Sequence, residues 1–231
     1  MLIIKFRKEC NVMNIVMLGA QGSGKGTVGK DLADNLNLLH ISTGDIFREN
    51  IKNETQLGQE ANNYISKGEL VPDGLTNRIL EDRLSKQDAK NGVVLDGYPR
   101  TKEQCEELDK ILNNLETQVD IVVNLDVPYE ELISRITNRR VCKECKEGYN
   151  LEYNPPKIQG VCDKCGGMVI QREDDKSEIV EARLRIYYAK SKEVTEYYIS
   201  QGKLRNEEAG EKVGRTSKDV ANDLINEFNK K

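Results

Sequence analysis

The chain has 231 residues, with 35 basic against 39 acidic side chains, a formal charge of -4, no Trp and 5% aromatic residues. That balance argues against a surface built to neutralise a polyphosphate backbone or to stack bases, so nucleic acid is not expected as a partner. No stretch reaches the roughly 18 consecutive apolar residues of a membrane span, and the apolar part of MLIIKFRKECNV is too short for a secretory signal, so a cytoplasmic protein with no membrane partner is expected.

Residues 1–12 precede the first clear strand and read as a leader or N-terminal extension, in which Cys10 has no visible role; the core is expected over 13–231. From Asn14 to Gly19 the run NIVMLG is short and apolar, ends in a Gly-rich turn, and is followed by helix formers from Lys25 to about Asn35, so it predicts a buried strand and then a helix. The turn itself, GAQGSGKGT, fits the phosphate-loop pattern G-x-x-x-x-G-K-[ST] from Gly19 through Gly24 and Lys25. Gly26, however, stands where a magnesium-binding hydroxyl belongs, and Thr27 comes one residue late. A strand running through glycines into a helix turns backbone N–H groups and a positive helix end toward an anion, and Lys25 adds a full charge. Without the hydroxyl, a metal on the nucleotide needs phosphates, waters and a carboxylate from elsewhere, for which Asp96 is the candidate.

Thr43 to Leu84 reads as helical, punctuated by KGELVPDG, and His40 reads as a strand-end packing residue. Val93 to Asp96 and Val119 to Asp126 repeat the apolar strand pattern, each before a helical pattern, Thr101 to Asn113 and Tyr129 to Asn138. Thr101-Lys-Glu-Gln104 also reads as a capping box, with the Gln104 side chain reaching back to the Thr101 N–H. Alternating strands and helices predict the α/β class, a parallel sheet with helices on both faces. Its carboxyl edge, where ligands bind in such sheets, then carries the Gly19 loop, Asp96 and Asp126.

After Arg140 the periodicity stops, and it resumes as a long helix from about Ser177 to Ser200. In the gap lie Cys142-x2-Cys145 and Cys162-x2-Cys165, at the spacing of a four-thiolate zinc site. Four thiolates leave no open coordination position, so a structural metal is expected, with iron or disulfides as the alternatives. Cys105 falls in a helix and reads as buried.

Taken together, GAQGSGKGT, HISTGDIFR (His40 to Arg48), GELVPD (Gly68 to Asp73), LDGYPRT (Leu95 to Thr101) and RITNRR (Arg135 to Arg140) resemble the adenylate kinases in order and spacing from Met13 to about Asn206. The long insert resembles the zinc-containing, long-lid form. In that family GKGT is the normal loop, while Gln21 stands where many members have Pro. The resemblance implies a phosphate-loop nucleoside monophosphate kinase with an AMP-binding insert over 42–71 and a zinc-bound lid over 138–175. It implies Mg-dependent transfer between ATP and AMP to give two ADP. Lys25, Arg100, Arg139, Arg172 and Arg183 are the implied catalytic residues. ATP would be held by Gly22, Ser23, Gly24, Lys25, Gly26, Thr27, Arg135, Arg139 and Tyr149. AMP would be held by Thr43, Arg48, Glu69, Leu70, Val71, Gly97, Tyr98, Pro99, Arg100 and Gln104, with Arg172 and Arg183 closing over the transferring group. Asp96 would hold magnesium through water, and Asp174 and Asp175 read as lid or hinge acids rather than metal ligands. Gln104 thus has two readings, adenine recognition and helix cap. A monomer is expected. The competing functions are a UMP or CMP kinase of the same architecture, a zinc-ribbon nucleic-acid-binding ATPase, and a nucleotide-binding protein without catalysis.

Overall fold

A computed structural model describes residues 12–175 and 177–230. The expected leader, Cys10 included, lies outside the described residues except for Val12.

In chain order the elements are β1 (Met13–Leu18), α1 (Lys25–Leu36), β2 (Leu39–Ser42), α2 (Thr43–Lys52), α3 (Gln56–Ile65), α4 (Asp73–Leu84), β3 (Gly92–Asp96), α5 (Lys102–Asn114) and β4 (Ile121–Asp126). There follow α6 (Tyr129–Thr137), β5 (Arg139–Cys142), β6 (Gly148–Asn150), β7 (Val169–Ile170), α7 (Ser177–Ser200), β8 (Leu204–Glu208) and α8 (Ser217–Phe228). The main sheet has five strands in the order β2-β3-β1-β4-β8, all parallel. Successive strand side chains face opposite ways, so a run buried along its length needs cover on both faces. On one face Ile15, Met17, Ile121 and Val123 pack under Val28 and Leu32 of α1, Leu132 of α6, and Val220 and Leu224 of α8. On the other, Val16, Val93, Leu95 and Val122 meet Leu80 of α4, Leu108 and Leu112 of α5, and Val194 and Tyr198 of α7. The two-faced α/β sheet expected from the strand pattern is present.

The strand order reverses direction at β1, so the crevice at its carboxyl end is where a ligand enters. The register pairs Met17 with Asp96 and Leu18 with Asn124, which brings the end of β3 beside the glycine turn. Two smaller units stand on this edge. Helices α2 and α3 share a core of Phe47, Ala61, Val71 and Leu75. Strands β6-β5-β7 form a three-stranded antiparallel sheet around the cysteines.

The sequence pattern did not give β8 or α8. As an edge strand, β8 buries only Glu207 fully, so LRNEE carries no apolar run. The Glu207 carboxylate is satisfied by Arg205 and Arg215, each at 2.5 Å. Among the described residues, no helix is long and apolar enough to cross a membrane.

Candidate functional site

Gly22 and Gly24 hold φ of 82° and 91°, backbone that L side chains rarely adopt, and this curls the loop so that α1 begins at Lys25. Lys25 Nζ donates to the Ala20 carbonyl at 3.2 Å, folding back over the loop. Gly26 is explained by its neighbour. A Cβ there would lie 3.0 Å from Asp96 Oδ2, so the carboxylate occupies the space a Ser or Thr side chain would need. Asp96 Oδ1 is buried with no hydrogen-bond partner. A buried lone carboxylate oxygen beside a phosphate loop fits a hydrated magnesium, whose waters would satisfy it. Ser23 is buried and Thr27 exposed.

From this loop a cleft of about 1240 Å³, counted to its open mouth, runs between the sheet edge and the α2–α3 unit. Thr43, Arg48, Glu69, Leu70 and Val71 line it on the side of that unit. Gly97, Pro99, Arg100 and Gln104 line it from the β3–α5 turn, and Lys25 and Arg183 stand at its inner end. The Gly97 carbonyl accepts from Thr43 Oγ1 at 3.0 Å and from Arg100 Nε at 2.7 Å, tying the two walls together. Tyr98 lies behind the wall instead: it is 1% exposed, and its hydroxyl donates to Asn77 Oδ1 at 2.8 Å.

Gln104 corrects the expected cap. Thr101 Oγ1 does accept from the Gln104 N–H at 3.1 Å. The Gln104 side chain, however, accepts from the Arg100 N–H at 2.7 Å, not from Thr101, and donates to Asp73 Oδ1 at 2.7 Å. Asp73 also accepts from Thr101 Oγ1 at 3.0 Å, so it is the anchor that fixes the Gln104 amide. Sequence reasoning quoted Asp73 only as the last residue of GELVPD and gave it no role of its own. His40 behaves as expected of a packing residue: it lies in β2, and a Cβ on Gly29 of α1 would come within 3.3 Å of its Nε2.

The arginines converge. The Lys25 ammonium is pushed down to about 8 by burial, with Arg100, Arg139 and Arg183 adding repulsion and Asp96 opposing it. Arg100 is held down to about 10 by desolvation in the cleft and then by Arg183, with Arg48 adding to it. Desolvation, then Arg48 and Arg139, does the same to Arg172, again to about 10. Six cations from the loop, α2, the β3–α5 turn, β5, the segment before α7, and α7 itself therefore act on one another's charge. Two buried acids order them. Asp175 holds Arg139 through both carboxylate oxygens. Asp174 accepts from Arg183 at 2.6 Å and lies 3.6 Å from Arg48. Burial would raise the Asp174 pKa, but Arg183, Arg48 and Arg172 bring it below the usual carboxylate range.

Arg135 of α6 points to the other side of the loop, its Nη1 3.5 Å from the Ser23 carbonyl. Tyr149 is not turned to the loop but built into the cysteine cluster: it is 6% exposed, and its hydroxyl donates to Cys162 Sγ at 3.2 Å.

The four sulfurs of Cys142, Cys145, Cys162 and Cys165 lie within 4.8 Å of one another. Cys142 to Cys165 and Cys145 to Cys162 are each 3.5 Å apart, close to the roughly 3.8 Å edge of a tetrahedron with 2.3 Å metal–sulfur bonds. The two turns match: Lys146 N donates to the Cys142 carbonyl at 3.2 Å and Gly166 N to that of Cys162 at 2.9 Å. Such a cluster can hold a metal ion. Cys105 is buried in α5 with its thiol pushed up to about 12 by desolvation, an inert core residue.

A glycine-curled phosphate loop, a second cleft wall and converging arginines define a phosphotransferase with room beside the loop for an acceptor. The family model described as adenylate kinase matches residues 17–203. An adenylate kinase of Acetivibrio thermocellus is 49% identical over 92% of this chain and 98% of its own length. One from Caldicellulosiruptor bescii is 48% identical over 90% and 97%. One from Staphylococcus aureus is 46% identical over the same shares. The chain belongs to the adenylate kinase family, nucleoside monophosphate kinases that interconvert ATP plus AMP and two ADP.

Proposed function

We propose that the named residues divide this reaction between a donor side and an acceptor side meeting at Lys25. Gly22 to Thr27 wrap the ATP phosphates, Lys25 bridges to the transferring group, and Arg135 and Arg139 flank the donor. Arg48 and Arg100 hold the AMP phosphate, while Thr43, Glu69 to Val71, Gly97, Pro99 and Gln104 enclose its nucleoside. Gln104 is pinned by Asp73 and the Arg100 N–H, yet its amide keeps a second N–H for a purine edge. Tyr98 and Tyr149 support these walls rather than touch the nucleotides.

An ionised AMP oxygen attacks the terminal phosphorus of ATP in line, the bond to the bridging oxygen breaks, and ADP departs with that oxygen's charge. The attacking oxygen carries no proton near neutrality, so no general base is needed, in keeping with a cleft that does not use His40. Positioning and charge neutralisation supply the rate, with Arg172 and Arg183 closing over the equatorial oxygens. Magnesium brought in with ATP would be held near Asp96, whose buried Oδ1 has no protein partner, and would add to the neutralisation of the developing charge.

The cysteines hold zinc as a structural ion. Residues 42–71 and 138–175 act as the acceptor insert and the lid, whose closure keeps water from competing with AMP. The protein works as a monomer on free nucleotides. The observation that carries this reading is one cleft lined by Lys25, Arg48, Arg100 and Arg183, with Arg139 and Arg172 near enough to act on their charge. Coupled assays with each monophosphate test it. AMP is expected to exceed UMP and CMP in kcat/KM by about 10²-fold or more, and a preference for either pyrimidine would overturn the acceptor assignment.

A further inference from the structure

Glu131, one helical turn before Arg135 in α6, was not singled out by any motif. Its side chain is 10% exposed and fully engaged: it accepts from Arg135 Nη2 at 2.6 Å and from the Glu211 N–H at 3.0 and 3.1 Å. The turn after β8 is shaped to it, since a Cβ on Gly210 would come within 2.5 Å of Glu131 Oε2. An exposed Glu–Arg pair at this spacing contributes little and leaves both side chains free to wander. Here a carboxylate shared between a guanidinium and a backbone N–H fixes Arg135 Nη2, Nη1 reaches the Ser23 carbonyl at 3.5 Å, and the donors not so engaged are left for a ligand. α6 also presses on the loop itself, as a Cβ on Gly22 would lie 2.7 Å from Ile136.

We propose that Glu131 is a positioning residue for the phosphoryl donor. It locks Arg135 and the Gly210–Glu211 turn into one wall beside the phosphate loop, so that the guanidinium meets ATP already oriented. The acceptor side shares none of these contacts. The proposal rests on the reading of Arg135 as a donor-flanking residue.

Steady-state kinetics of Glu131→Gln, Arg135→Ala and the double variant test it. Glu131→Gln is expected to raise KM for ATP about 10-fold, with kcat, KM for AMP and the melting temperature little changed. In the Arg135→Ala background the same substitution should add less than twofold, since the group it positions is gone. Equal rises in both KM values, an unchanged ATP KM, or full additivity in the double variant would overturn it. The two layers separate cleanly. Should Arg135→Ala alone leave the ATP KM untouched, the donor reading falls and the proposal with it. A rise with Arg135→Ala but none with Glu131→Gln removes only the role of Glu131.

Discussion

Replacing Lys25 with Met is expected to lower turnover by about 10³-fold while leaving the folded protein no less stable. The two effects share one cause. Lys25 is desolvated and faces Arg100, Arg139 and Arg183, which is favourable once phosphates arrive and unfavourable before. Its pKa of about 8 in the folded chain, against 10.5 when unfolded, fixes the sign of the pH dependence. Below pH 8 the group is charged in both states and the folded state carries the penalty. Between about 8 and 10.5 the unfolded chain binds a proton that the folded chain does not, so stability rises with pH through that window. The Met variant should lack this rise. Phosphates restore the proton, so wild-type affinity for ATP is expected to fall as pH climbs past about 8. Turnover measurements with thermal melts from pH 7 to 10.5 check both parts. Retention of more than a tenth of wild-type turnover would remove Lys25 from the transfer step.

Stripping the metal from the cysteine cluster, by chelation or by Cys162→Ser, is expected to unfold residues 139–170 locally while the parallel sheet stays protected. The cluster of Cys142, Tyr149 and Cys162, with Cys145 and Val169 against it, is too small to hold a fold. Ile158 and Met168 are 66% and 61% exposed and contribute little more. A four-thiolate zinc site of this size supplies roughly 10–16 kcal/mol on binding, which is most of what orders such a unit. Hydrogen exchange should then approach unprotected rates across β5, β6 and β7 only. Phosphoryl transfer should fall at least about tenfold, and ATP hydrolysis without AMP should rise as water gains entry. Full protection of these strands and unchanged transfer in metal-free protein would contradict the structural role.

Much of this was legible from residue order because the chemistry is local there. NIVMLG and the glycines after it specify a buried strand and a turn at once, and Cys-x2-Cys repeated sixteen residues apart marks four thiols that can hold a metal ion before any fold is known. What escaped depended on contacts remote in sequence. β8 is an edge strand whose buried Glu207 reads as exposed until Arg215 is brought to it. The two readings of Gln104 stayed open in the sequence because its partner Asp73 lies 31 residues away. Gly26 looked like a lost hydroxyl until Asp96, from the neighbouring strand, was seen to fill its place.

The central claim is that two nucleotides lie end to end across Lys25, and calorimetric titration with two adenosines joined by five phosphates tests it most directly. The account predicts one ligand per chain, bound about 10²-fold or more tighter than ATP or AMP alone, because a single molecule then collects both sets of arginines. Two equivalents bound at ATP-like affinity, or one bound no tighter than ATP, would contradict it.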